Sequence, residues 1–163
     1  MINDYTKRAI KIIKSINYAT IATASKGGIP WNSPVAHNYD EQLNIYWFSD
    51  KNNHHSRNVR DNTRVFIVIY DSTAPEGEGE GVYIQATAKE LSDPEEIMFA
   101  RRIKKGPGYD KPADDFLGDS VRRVYKATPE HIWINDAEEK NGVFLRDFRK
   151  ELSLDDIRAS LKK

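Results

Sequence analysis

The 163-residue chain contains no cysteine. This absence excludes disulfide bonds, thiolate catalysis, and zinc or iron–sulfur sites with cysteine ligands. Long apolar runs are also missing, since no segment approaches the ~20 residues of a membrane-spanning helix. Residues 1–14 alternate charged and apolar side chains and lack the continuous apolar stretch of a signal peptide. We therefore expect a cytoplasmic protein that does not bind membranes.

An excess of charge of one sign is absent too. The chain has 25 Lys and Arg against 25 Asp and Glu, so its formal net charge is zero. A general nucleic-acid or membrane-surface binder would carry a basic excess, so we expect no nucleic-acid partner. A local basic pocket remains compatible with this balance. The length fits a single domain over residues 1–163, since domains most often have ~100–150 residues.

Apolar periodicity predicts a chain of short strands with a few helices. The predicted strands cover residues 18–24, 29–39, 43–48, 64–70, 82–91, 121–127 and 131–135. The predicted helices cover residues 6–16, 54–60, 94–104 and 154–161, with a short helical turn near Phe116. Short strands joined mostly by turns favour an antiparallel sheet closed into a barrel. We predict a mainly β fold, a β-barrel with peripheral helices.

The segment Gly77–Gly81 alternates glycine and glutamate, a pattern that superficially suggests a phosphate-binding loop. A strand follows it, whereas a dinucleotide-binding loop leads into a helix. Its glutamates would also repel a phosphate. We therefore expect no phosphate-binding role for this loop.

The short helix after residue 53 is the candidate site that the residues themselves indicate. Ser56 and Arg57 lie in or near its first turn, and Asn52 or Asn53 is suited to cap it. A helix N-terminus offers unpaired N–H groups and a positive dipole end, and arginine and serine add donors suited to phosphate. The same residues also fit an ordinary surface helix, so a phosphate site here is a hypothesis.

Several motifs, taken in order, indicate more than any of them does alone. A strand ending in a glycine turn precedes PWNSPV, and IYWFS, HSRN, GVYIQATA and WIND follow along the chain. In this order they resemble the pyridoxamine 5′-phosphate oxidase-like split-barrel family, in its branch of small FMN-binding proteins. The resemblance covers roughly residues 12–136. It implies a six-stranded antiparallel split barrel that forms a homodimer with FMN in grooves between the subunits.

The resemblance also implies roles for particular residues. It places Ser56, Arg57 and Asn58 at the FMN phosphate, and Asn32, Ser33 and Pro34 along the isoalloxazine ring. Trp47, Phe48 and Ser49 would border the ribityl chain or the phosphate, while Gln85 and Trp133 would face the cofactor from the partner subunit. The implied activity is that of an FMN-dependent oxidoreductase acting on a small molecule. No acid or base is predicted, since hydride transfer to a flavin does not require one.

Two departures from the family pattern limit what the resemblance implies about the phosphate site and the substrate. Asn58 stands where the family has a lysine, and His54 or His55 could replace part of the lost positive charge. No C-terminal arginine motif for a substrate phosphate is recognisable, so we do not expect vitamin B6 oxidation.

His54 and His55 have no carboxylate at ligand spacing, so we expect no metal site. A non-enzymatic flavin- or haem-binding dimer, or a scaffold that has lost its cofactor, is the alternative function.

Overall fold

An antiparallel sheet dominates the computed structural model, which describes residues 3–103 and 112–162. Its strands are β1 (Tyr18–Ala24), β2 (Pro30–Ala36), β3 (Asn38–Tyr39), β4 (Ile45–Asp50), β5 (Arg64–Tyr70), β6 (Gly81–Glu90), β7 (Arg122–Lys140) and β8 (Val143–Leu152). The helices are α1 (Asp4–Ser15), α2 (His54–Asp61), α3 (Pro94–Ile103) and α4 (Leu154–Leu161), with a 3₁₀ turn at Ala113–Phe116. The predicted mainly β class is confirmed. The end of the predicted helix 94–104, and residues 105–111 of the loop after it, lie outside the described residues.

The sheet closes on itself because of how the chain joins its two ends. The strand order is β2-β1-β5-β6-β7-β4-β3, so β2 and β3 are at opposite ends of the sheet. In the chain, only His37 separates them. The sheet must therefore curl until its ends meet, which produces a barrel. The predicted strand 29–39 is accordingly interrupted at His37.

His37 fixes this junction to the start of the first strand. Its backbone N–H donates to the Asn17 carbonyl at 3.1 Å, and its ring Nε2 donates to the Ile16 carbonyl at 3.0 Å. The side chain is 93% buried, and burial lowers the pKa of its imidazole. A neutral, buried histidine thus joins the junction between β2 and β3 to the residues that follow α1.

Strand β7 is longer than the sequence predicts. The expected break at residues 128–129 is wrong, because β7 continues through it and pairs with β6 on both sides. Gln85 lies opposite His131 and Ala86 opposite Pro129, so Glu130 is an extra, bulged residue. Because of the bulge, Pro129, which has no N–H to donate, does not end the strand.

The expected count of six strands is also corrected, since the described residues form eight. The strand that was missed, β8, pairs with the second half of β7. Asn141 and Gly142 join the two with φ of 53° and 74°, the left-handed conformations that a type I′ hairpin requires. This Asn-Gly pair is the sequence signal for β8.

The barrel interior is filled by alternate residues of the central strands. Ile21, Ile67, Ile69 and Ile84 are fully buried, and the rings of Trp47 and Tyr125 stack at 5.3 Å. Helix α1 covers one side of this core, and Asn3 caps its N-terminus by accepting the Thr6 N–H at 2.8 Å. Within the described residues, no helix has the length and apolarity needed to cross a bilayer.

The core makes a direct prediction about stability. Replacing the fully buried Ile67 by alanine should lower the free energy of unfolding by about 2–5 kcal/mol, since it leaves a cavity. The same change at Ile29, which is 68% exposed, should cost less than about 0.5 kcal/mol. Urea denaturation of both variants measures the difference, and equal losses would mean that the barrel interior is assigned wrongly.

Candidate functional site

The N-terminus of α2 lies at one end of the barrel and is open. Asn53 occupies the N-cap position, but its side chain makes no capping hydrogen bond. The Asn53 amide instead donates to Ser49 Oγ at 3.0 Å, at the end of β4. The N–H groups of the first helical turn are therefore left for another acceptor, and the positive end of the helix dipole points the same way.

His55 connects α2 to two strands that do not pair with each other. Its Nδ1 lies 3.1 Å from Ser33 Oγ on β2, and its Nε2 lies 2.8 Å from Ser49 Oγ on β4. Trp31 Nε1 donates to the same Ser33 oxygen at 3.0 Å. The imidazole is 94% buried, and burial, followed by the neighbouring His54, lowers its pKa. We call the Ser33–His55–Ser49 arrangement the serine–histidine relay.

An aromatic pair covers one side of the relay. The rings of Trp31 and His54 stack at 4.1 Å with an interplanar angle of 7°. Trp31 is 45% exposed, so it is a surface aromatic rather than a core residue. The stack places a flat, partly exposed surface next to the open helix end.

The three residues of the Ser-Arg-Asn segment lie in different surroundings. Ser56 is fully buried beneath α2, and Asn58 is 96% buried and donates to Thr23 Oγ1 at 3.0 Å. Arg57 alone is exposed, and among the described residues no hydrogen bond or ion pair engages its side chain. Asn58 ties α2 to β1, Ser56 is packed on the inner face of the helix, and the Arg57 side chain is available to a ligand.

The site residues predicted on β2 and β4 also lie in different surroundings, some exposed and some buried. Asn32 and Pro34 are exposed on the outer side of β2, whereas Ser33 is half-buried and faces the barrel end. Trp47 lies wholly inside the barrel, and Phe48 packs edge-on against Phe116 at 5.4 Å. The structure thus brings Ser33, Ser49 and His55 together, while Arg57 lies on the exposed face of α2.

Gln85 and Trp133 lie elsewhere, on the outer face of the sheet. Ladder pairing places Asn32, Ala22, Phe66 and Gln85 in one row across β2, β1, β5 and β6. Three strand spacings separate Asn32 from Gln85, roughly 14 Å along the sheet. Within one chain these two side chains therefore cannot touch the same small group.

Around Gln85 the outer face combines one polar cluster with several aromatic rings. Glu130 accepts hydrogen bonds from Gln85, Thr87 and Arg64, and these contacts lower the pKa of its carboxyl. The aromatic side chains on this face are Phe66, Tyr83 and Trp133, with His131 stacked on Trp133 at 5.5 Å. These rings form a half-exposed patch, which we call the outer aromatic face.

With the fold and this geometry established, comparison with known proteins identifies the class. The sequence profile of the pyridoxamine 5′-phosphate oxidase family matches residues 5–136, so the chain belongs to that family. No curated protein matches the sequence significantly.

Solved structures share the fold at low sequence identity. A haem-binding protein from Mycobacterium smegmatis is 20% identical with a TM-score of 0.69, over 94% of this chain and 60% of that one. HutZ, the haem storage protein from Vibrio cholerae, is 17% identical with a TM-score of 0.63, over 74% of this chain and 86% of its own. Atu2129 from Agrobacterium tumefaciens, of unknown function, is 17% identical with a TM-score of 0.66, over 89% and 60%. The chain thus spans about three fifths of the first and third of these proteins.

Sequence reasoning missed the polar contacts that build this site. The Thr23–Asn58 bond joins residues 35 positions apart, and the bond between Ser33 and His55 spans 22 positions. Neither pair has a local signal, because each forms only when the barrel curls. The Trp31–His54 stack has the same origin.

The buried imidazoles predict how stability depends on pH. His37 and His55 both have lowered pKa values in the folded protein. Folding therefore favours their neutral forms, which stabilise the protein above the ordinary imidazole pKa of ~6.5, and this contribution is lost as the pH falls below it. The free energy of unfolding should decrease between pH 7 and pH 5. Denaturant titrations at unit pH intervals measure this, and a flat profile over that window would contradict it.

Proposed function

We propose that this chain is an FMN-binding flavoprotein that acts as a homodimer and oxidises or reduces a small molecule. The observation that carries the proposal is that the serine–histidine relay adjoins the uncapped start of α2, the helix that also carries the exposed Arg57. A dianionic phosphate needs such a combination of donors and positive charge. Membership of the family makes FMN the phosphate-bearing cofactor to test first.

The residues at this site fit a phosphate even though Asn58 replaces the family lysine. Arg57 supplies a fixed cation, and the N–H groups at the start of α2 supply backbone donors. Ser49 and His55 add side-chain donors from the other side. Ser56 and Asn58 would act indirectly, by holding α2 in position against the barrel. The positive charge that Asn58 lacks would then come from Arg57 and from a protonated His55.

The ring end of the cofactor requires a second subunit in this proposal. Asn32 and Pro34 offer one exposed edge on β2. On the same face, Gln85 on β6 is three strand spacings away, roughly 14 Å, and Trp133 on β7 is four, roughly 19 Å. A second copy packed on the outer aromatic face would bring its own Gln85 and Trp133 to the ring. Aromatic residues are enriched in such interfaces, which supports this arrangement.

The protein's own part in the reaction would be positioning. Bound FMN would supply the hydride or electron transfer, as it does in flavoproteins generally. Arg57 and the relay would fix the phosphate, and Asn32, Ser33 and Pro34 would orient the ring edge. The Trp31–His54 stack would limit the access of water beside the phosphate. A small-molecule substrate would enter at the face of the ring that the protein leaves open.

Arg57 provides the sharpest test of the phosphate position. Arg57→Ala should weaken FMN binding by about 1.5–3 kcal/mol, or roughly 10- to 150-fold in Kd, the loss expected for hydrogen bonds to a charged group. Arg60→Ala, on the same helix but paired with Glu90 at 3.3 Å, is the matched control and should bind FMN normally. Quenching of flavin fluorescence measures both. Riboflavin, which lacks the phosphate, should bind both variants equally, and an unchanged FMN affinity in Arg57→Ala would remove this residue from the site.

Haem binding is a second candidate function, favoured by one contact on the outer aromatic face. His131 Nδ1 lies 2.8 Å from Glu151 Oε1, and because a carboxylate only accepts, Nδ1 carries the proton. The exposed Nε2 is then free, the arrangement in which a carboxylate orients a metal-ligating histidine. Trp133 stacks beside it and offers an apolar surface to a porphyrin.

Absorption spectroscopy separates the two candidates. Purified protein that retains flavin bands near ~375 and ~450 nm supports FMN as the natural ligand. If haem is the ligand, added hemin should give a stoichiometric Soret band that shifts or disappears in His131→Ala and persists in His54→Ala. A hemin spectrum that is identical in all three proteins would exclude His131 as the iron ligand.

A further inference from the structure

The number of hydroxyl protons that the serine–histidine relay can offer to a ligand depends on the charge of His55. Trp31 Nε1 already donates to Ser33 Oγ, and the Asn53 amide already donates to Ser49 Oγ. Each serine oxygen therefore already accepts one hydrogen bond, and each serine still has its own hydroxyl proton to donate. A neutral imidazole has one N–H and one lone pair, so it donates to one serine and accepts from the other. One hydroxyl proton is thereby used inside the relay, and only one can point towards a ligand.

A protonated His55 changes this count. Both ring nitrogens then carry a proton and donate to the two serine oxygens, which lie 2.8 and 3.1 Å away. Neither serine can donate back to the ring, so both hydroxyl protons become available to an acceptor. The same event adds a positive charge next to the open end of α2. Protonation thus converts a site with one hydroxyl donor into a cationic site with two.

We infer that His55 is a proton-coupled positioning residue, which takes up a proton when a phosphate dianion binds and thereby turns both Ser33 and Ser49 into donors for that phosphate. This inference rests on the proposed function and specifies how its phosphate site works. It also explains how the site can hold a phosphate without the family lysine, because the second cation arrives as a proton.

The surroundings of His55 leave few other groups that could perform this titration. Helix α2 packs against β1, β2 and β6. Strand β2 has no ionisable side chain, and the ionisable residues of the other two are Tyr18, Tyr83, Lys89 and Glu90. Glu90 is engaged by Arg60, Arg123 and Tyr125, and Lys89 is paired with Glu96.

On α2 itself and at the end of β4, three charged groups remain near the relay. Arg57 contributes a guanidinium cation on the exposed face of the helix. The Asp50 carboxylate accepts the Asn52 N–H at 2.7 Å and lies beside the turn that leads into the helix. His54 is the neighbouring imidazole, and its charge lowers the pKa of His55. His54 is therefore the alternative source of any proton uptake and must be tested in parallel.

Calorimetry can count the proton directly. FMN is titrated into wild-type protein at pH 7 in buffers of different ionisation enthalpy, so that the dependence of the heat on the buffer gives the protons bound. The wild type should take up most of one proton per FMN, since burial keeps His55 neutral in the free protein. Riboflavin, with the same ring and no phosphate, should bind without proton uptake.

Two matched variants assign the proton to a residue. His55→Gln keeps an acceptor and a donor between the serines but cannot titrate, so FMN should bind it without proton uptake. His54→Gln should retain the uptake of the wild type. Between pH 8 and pH 6, the Kd of the wild type should fall relative to that of His55→Gln, by at most about tenfold per pH unit for one linked proton.

The outcomes distinguish the relay from the proposed function. If FMN binds wild-type protein with no proton uptake, or if the uptake disappears in His54→Gln and persists in His55→Gln, the relay is overturned while FMN binding stands. If wild-type protein binds no FMN between pH 6 and pH 8, the proposed function itself fails. Should His55→Gln not fold, the proton count of the wild type against that of His54→Gln still decides the question.

Discussion

The pair of hydrogen bonds between His55 and the hydroxyls of Ser33 and Ser49 is the contact on which the site depends. The two serines lie on β2 and β4, strands that share no ladder, so a side chain of α2 joins two parts of the barrel that the sheet itself leaves separate. Moving α2 would therefore both open this end of the barrel and take apart the proposed phosphate site. In the proposed function, stability and phosphate binding are linked through this one imidazole.

The elements around this contact can largely be predicted from the sequence. Strands Tyr18–Ala24 and Arg64–Tyr70 and helix Leu154–Leu161 have the predicted bounds, because alternation, capping and charge all agree there. Helix α2 is also predicted, to within a residue at its C-terminal end. Local signals of this kind fix the type of each element and its bounds.

Features that depend on the curling of the sheet cannot be predicted in this way. No local pattern shows that Ser56 and Asn58 face inward while Arg57 faces outward, or that His55 rather than His54 enters the barrel end. The missed strand β8 is different, because its Asn141-Gly142 turn was visible in the sequence. Its exposed side chains, among them Val143, Phe144 and Leu145, lack the alternation that marks a strand with one buried face.

The central claim is that a cofactor phosphate lies at the open end of α2, and a crystal structure of the protein soaked or grown with FMN tests it most directly. The account predicts phosphate oxygens within hydrogen-bond distance of the Arg57 guanidinium, the Ser33 and Ser49 hydroxyls and the first-turn N–H groups of α2. It further predicts that Gln85 and Trp133 of a second subunit border the ring. A phosphate bound away from α2, or a flavin held by one subunit alone, would contradict the account.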